Sequence, residues 1–466
     1  MSAGHHHGPI ELGPRDVETV LPTIKRYAMI LLVLGFLLAI PGLIVVRGNE
    51  IGSTLYRSIL VCGAFYVSIS LGALFFVIVQ HMVKAGWSVV VRRVAEGLSM
   101  NVTWVWLILL PLVAAIGMGA SDIYPAMADD HAAHGAAHED GHGDAGHGDA
   151  AHDEGHGAPA HEAGAALPAV AAEHGEHHME PAKKWYLSFG AFVIKLLVCF
   201  GVWILLAAGY FRSSVKQDST KDVAHTKSME WWAPPSMILF AVTLCLFGFD
   251  ALMALDPHWY STIFGIYYFA GCLVSFFASA IVFIFICQQG GLIKEVSREH
   301  YQDLGKFMFA FVVFWAYIGF SQFMLIWYGN LPEETVWFLR RFGGLDATGD
   351  LNWGSSWMLL SIWLAVGHFG VPFLLLMSRF PKRHPNLLVL GALWMLGVHY
   401  VDMFWLVKPT TADPGMQPMP IPVLDAAMFL AVGGVFLFAT ANFLKGKSLI
   451  PEGDPRLGES LAFENF

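Results

Sequence analysis

Apolar blocks of about 20 residues recur along this chain, and nothing else in the sequence constrains its fold so strongly. Each block is as long as a helix needs to be to cross a hydrocarbon core about 30 Å thick. Ten are found, at residues 28–46, 57–80, 101–119, 187–210, 234–254, 263–287, 307–328, 356–377, 386–407 and 423–444. Composition agrees: 56% of the 466 residues are hydrophobic and 14% charged, too little charge to cover a soluble domain of this size. The expected fold is an all-α polytopic membrane protein of about ten transmembrane helices.

An even number of spans places both ends on one side, and Lys and Arg decide which. The terminal and alternate loops of one face, from Arg15 and Lys25 to Lys447 and Arg456, hold 19 basic residues. The other face holds 7: Arg47, Arg57, Lys183, Lys184, Arg340, Arg341 and Lys408. The positive-inside bias therefore predicts cytoplasmic N and C termini.

This divides the chain into a cytoplasmic segment 1–27, spans 1–3 (28–119), a periplasmic insertion 120–182, spans 4–5 (187–254), spans 6–9 (263–407), span 10 (423–444) and a cytoplasmic tail 445–466. The insertion carries 11 histidines and 13 acidic residues with no Lys or Arg. Such a composition buries no core and predicts disorder. Without it the chain has 24 acidic against 27 basic residues, so the net charge of −10 belongs to one segment and points to no nucleic-acid partner. His138, His142, His147 and His152 could bind a metal weakly there; the plainer reading is a solvated loop, and no other metal site is expected.

All five cysteines fall inside apolar blocks, with no CxxC or CxxCH spacing, which excludes covalent haem and cysteine-ligated clusters. Spans 2–5 and 6–9 run in the same directions, so a parallel duplication is geometrically possible. Asp250 lies seven residues before Pro257, as Asp402 does before Pro409. These parallels favour two four-helix bundles, spans 2–5 and spans 6–9, with spans 1 and 10 flanking them.

Ionisable groups within the blocks need a reason, because each costs about 2.5–3.5 kcal/mol on insertion scales. Lys195, Asp250, His368, His399 and Asp402 are the proton-transfer candidates. Asp256, His258 and Asp425 mark span ends and are weaker ones. For all eight the competing reading is an interhelical pair or a snorkelling end residue. His368 with His399 would be the one conceivable bis-histidine haem site. Tyr317, Ser321, Gln322 and Tyr328 form a polar-aromatic set on span 7 that could line a quinone pocket or simply hold helices together.

Three runs carry a family resemblance: Ser228-Met-Glu-Trp-Trp-Ala-Pro-Pro-Ser, Phe249-Asp-Ala-Leu-Met-Ala-Leu-Asp-Pro-His-Trp-Tyr-Ser-Thr-Ile-Phe-Gly and Trp394-Met-Leu-Gly-Val-His-Tyr-Val-Asp. Together they resemble the ActF membrane subunit of bacterial alternative complex III, which is similar to NrfD and polysulfide-reductase membrane subunits. The resemblance implies a cofactor-free, integral subunit of a respiratory quinol:electron-acceptor oxidoreductase in the bacterial cytoplasmic membrane. It would have no redox centre of its own, and would bind quinol (menaquinone or ubiquinone) or conduct protons. Implied partners are a homologous NrfD-like membrane subunit, an iron–sulfur subunit and c-type cytochromes, besides membrane lipid. The residues alone also admit a secondary transporter with parallel repeats, or a structural membrane scaffold.

Overall fold

The computed structural model describes residues 16–45, 50–119, 123–127, 181–345, 350–411 and 423–465. The four loop histidines His138, His142, His147 and His152 lie outside the described residues. Among the described residues ten helices are long and apolar enough to cross a membrane: Leu21–Gly42, Thr54–Met82, Val89–Gly117, Phe189–Thr220, Val223–Leu255, Phe264–Gln289, Arg298–Gly329, Ser356–Met377, Pro385–Val407 and Val423–Leu444. They are spans 1 to 10 below. The protein is a multi-pass helical membrane protein. Helix is the required form, since hydrocarbon offers backbone N–H and C=O groups no other partner.

Several helices outrun the apolar blocks. Span 4 begins at Ser188, whose hydroxyl accepts from Ala191 N, and ends at Lys221 in the left-handed region (φ 54°). Span 7 starts on a Ser297/His300 capping box and closes on Asn330, also left-handed (φ 47°). Caps of this kind satisfy the end groups, so both helices continue beyond the hydrocarbon.

Span 3 differs most from expectation. Arg92 and Arg93, read as loop charges, are fully buried in its first turns. Arg93 pairs with Glu96 at 2.9 Å and with Asp218 at 2.8 Å, while Arg92 pairs with Glu96 at 3.5 Å and with Asp454 of the C-terminal tail. A hydropathy window penalises each charge separately and cannot see that they cancel.

Spans 2–5 form one bundle and spans 6–9 another. The bundles meet at spans 2 and 6, where a Cβ on Gly72 would lie 2.0 Å from the Cys272 carbonyl oxygen. Spans 1 and 10 lie outside, packed backbone to backbone through Gly35 and Gly434. Small residues permit such approaches where no hydrophobic effect drives association. The tail returns along the ends of the first bundle and pairs at Ser448 with Asp16, so both terminal segments share one face.

Two spans are interrupted by a π-helical turn, Gly248–Leu252 in span 5 and Val366–Gly370 in span 8. Such turns recur at functional sites. One carries Asp250 and the other His368.

Candidate functional site

Span 9 places His399 and Asp402 three residues apart, hence on one face of its helix. Both are fully buried, with His399 Nδ1 3.7 Å from Asp402 Oδ2. No cation sits on this carboxylate among the described residues. Instead the Tyr267 hydroxyl donates to Oδ1 at 2.6 Å and the Trp315 indole N–H donates to Oδ2 at 3.0 Å. Spans 6 and 7 thus fix the carboxylate of span 9 through neutral donors. His368 closes the group from span 8, stacked on Trp315 at 3.8 Å between ring centres and 6.0 Å from the His399 ring.

The other side of His399 faces the seam between bundles. Its Nε2 lies 3.1 Å from Ser68 Oγ, which lies 3.0 Å from Ser275 Oγ. Gly271 makes this possible, because a Cβ there would come within 2.5 Å of the His399 ring. The result is a polar series Tyr267–Asp402–His399–Ser68–Ser275, hydrogen-bonded on either side of a 3.7 Å gap between Asp402 and His399. Among the described residues, both nitrogens of His368 and Nδ1 of His399 lack a side-chain hydrogen-bond partner. A buried polar atom left unpaired costs roughly 1–3 kcal/mol.

An apolar cavity of about 560 Å³ abuts the group, with Tyr267, Trp315, Trp337 and Trp405 among its walls. It lies between spans 7 and 8 and the Pro332–Arg341 helix. Of the four span 7 candidates, Tyr317 and Gln322 line it. Gln322 is 5% exposed and its Oε1 has no partner. Ser321 and Tyr328 do not line it, and Tyr328 is 84% exposed. Spacing put 317, 321 and 328 on one stripe, but only Tyr317 of these reaches the cavity, from its exposed side. The inward polar residue is Gln322.

The five proton-transfer candidates therefore separate. His368, His399 and Asp402 converge, whereas Lys195 and Asp250 form a pair of their own in the first bundle. Lys195 Nζ lies 2.8 Å from Asp250 Oδ1 and donates to the Tyr186 carbonyl at 2.8 Å. Burial, followed by the charge of Asp250, pushes the Tyr186 phenol above its ordinary range, so it keeps its proton. The weaker candidates are end residues. Asp256 pairs with Arg340 at 2.6 Å, Asp425 with the buried Lys408 at 3.2 Å, and His258 is exposed. Burial lowers the Lys408 ammonium, which Asp425 opposes.

His368, His399 and Asp402 each offer a ligand atom, all within 4.8 Å of one another. Both Asp402 oxygens are already engaged by Tyr267 and Trp315. The group is better built to hold a carboxylate than a metal. The His368 and His399 ring centres stand 6.0 Å apart, and Trp315 stacks directly on His368.

Sequence reading missed Tyr267, Trp315, Ser68, Gly271 and Ser275. One signal was available: Tyr267, Gly271 and Ser275 recur every four residues on span 6, a stripe of one aromatic and two small residues on one face. No protein-family model matches the chain, and no curated protein matches it.

Proposed function

We propose that this chain is the cofactor-free membrane subunit of a respiratory quinol:electron-acceptor oxidoreductase of the alternative complex III kind, and that its second bundle carries the protons. The three ActF-like runs support the family. The absence of CxxCH and cluster spacings agrees with redox centres held by partners, namely an iron–sulfur subunit, c-type cytochromes and a related membrane subunit. The 19-to-7 distribution of basic residues supports cytoplasmic termini in a bacterial inner membrane.

One observation carries the reading: a buried carboxylate–imidazole group stands against an apolar cavity and reaches it through a tyrosine. A quinol ring needs flat apolar walls and a few hydrogen-bonding groups, which Trp315, Trp337, Trp405 and Gln322 supply. A hydroxyl of quinol in the cavity donates its proton to the Tyr267 oxygen as the Tyr267 proton passes to Asp402. His399 then takes that proton at Nδ1 and releases one at Nε2 toward Ser68. Partner subunits would hold the iron–sulfur and haem centres that accept the quinol's two electrons one at a time, and its second proton follows once the relay has reset.

The test is the whole complex reconstituted in vesicles. Asp402→Asn and His399→Leu leave assembly intact and lower the number of protons moved per electron. An unchanged ratio in both variants overturns the proposal.

A further inference from the structure

A second cavity, about 720 Å³, opens between spans 1 and 10 on one side and spans 6 and 9 on the other. Ile30, Phe283, Ile286, Leu393 and Leu437 wall it. Along span 6 it runs from Ser279 to Gln289. At 1.5 Å per residue that is about 15 Å, the depth of one leaflet of a core about 30 Å thick.

Its two ends differ. The deep end is closed by Phe65 and Tyr66, and the Tyr66 hydroxyl is already committed to the Phe429 carbonyl at 2.5 Å. Nothing polar is free there to receive a ring. The shallow end, on the face that carries the termini, has Thr23 and Gln289 at its rim. Arg26 is exposed and belongs to none of the ion pairs among the described residues. It shares the helical face of Thr23, Tyr27 and Ile30, which line the groove, on the side of the termini.

An apolar slot one leaflet deep, with a cation and two hydrogen-bonding side chains at its mouth, matches one chemistry. We propose that the groove holds an acyl chain of an anionic phospholipid from the leaflet on the side of the termini, with its phosphate at Arg26, Thr23 and Gln289. The occupant is structural: it fills the space that keeps the flanking pair from closing on the bundles. This inference is independent of the proton reading, since none of these residues belongs to the Asp402 group.

The test uses the full chain purified in mild detergent, stripped of lipid, then titrated with phosphatidylglycerol or phosphatidylcholine and read by native mass spectrometry. One phosphatidylglycerol is retained per chain, more tightly than phosphatidylcholine. Arg26→Gln weakens phosphatidylglycerol about fivefold, the effect of about 1 kcal/mol per basic residue at a membrane surface, and leaves phosphatidylcholine unchanged. Leu393→Trp, which fills the slot from an exposed position, abolishes retention of both, and Ile30→Trp does so from the opposite wall. Equal retention of the two lipids with no effect of Arg26→Gln overturns the proposal. So does a quinone that co-purifies and is displaced by Leu393→Trp.

Discussion

The two bundles each bury a carboxylate in a corresponding span, and they treat it in opposite ways. In the first, Asp250 sits against Lys195 at 2.8 Å, and charge answers charge. In the second, Asp402 meets only a phenol, an indole and two imidazoles. Lys195 and Asp250 balance one another, and removing either leaves a bare charge in a poor solvent. Asp402 is instead held by neutral donors, with Nδ1 of His399 3.7 Å from its Oδ2. On the proposed reading, the carboxylate of span 5 is a brace in the first bundle and the carboxylate of span 9 a relay in the second.

The sharpest way to break this contrast is to neutralise each carboxylate and follow proton transfer. Asp402→Asn keeps an acceptor for Tyr267 or Trp315 but ends protonation. Loss of one positioned acid–base group typically costs on the order of 10²-fold in rate, and that drop is expected in vesicle proton uptake driven by quinol. The paired change Lys195→Met with Asp250→Leu is expected to leave proton uptake near its starting value. Equal losses in the two bundles would show that both are relays.

Stability should reverse the order. Asp250→Ala strands Lys195 and is expected to cost about 2 kcal/mol, below the ~3–5 kcal/mol of a fully buried pair because Lys195 keeps the Tyr186 carbonyl and partial exposure. Thermal unfolding in detergent measures it. The Lys195→Met/Asp250→Leu double variant recovers most of that loss, since an apolar pair of similar volume often replaces a buried ion pair at no cost. A double variant as unstable as the single one would mean that Lys195 or Asp250 has a further partner.

Most of the fold was legible in the sequence because hydrocarbon is a demanding solvent. Each apolar block had to become a helix, and the ten spans fell where hydropathy put them. The ends were not legible, because Arg92, Arg93 and Glu96 cancel one another within the first turns of span 3. The site was legible only in part. Hydropathy exposes charged residues in a span, and so His368, His399 and Asp402 stood out. The groups that orient them, Tyr267, Trp315 and Ser68, resemble ordinary membrane residues, and only the packing of spans 2, 6 and 7 brings them to the cluster. Lys195 stood out for the same reason as His368, but one-dimensional reading could not tell that its partner was beside it.

Tyr267→Phe probes the joint between cavity and cluster. It removes one hydroxyl from a carboxylate that keeps the Trp315 donor, so about 1.5–3 kcal/mol of a hydrogen bond to a charged group is at stake. The expected result is proton transfer slowed at least tenfold, with quinol affinity little changed. If affinity falls and the rate at saturating quinol does not, Tyr267 belongs to the cavity wall alone.

The smallest effect belongs to the cavity itself, and it separates the two faces of span 7. Gln322 is buried with an unmatched carbonyl oxygen, whereas Tyr328 points away from the bundle. Gln322→Leu preserves volume and removes one acceptor for a quinol hydroxyl. A neutral hydrogen bond contributes about 0.5–1.5 kcal/mol net, so the apparent KM for quinol should rise about two- to tenfold, while kcat and the proton-to-electron ratio hold. Tyr328→Leu should leave all three unchanged. If Tyr328→Leu raises KM and Gln322→Leu does not, the quinol lies against the outward stripe, and the buried cluster is then too far from it to take its protons.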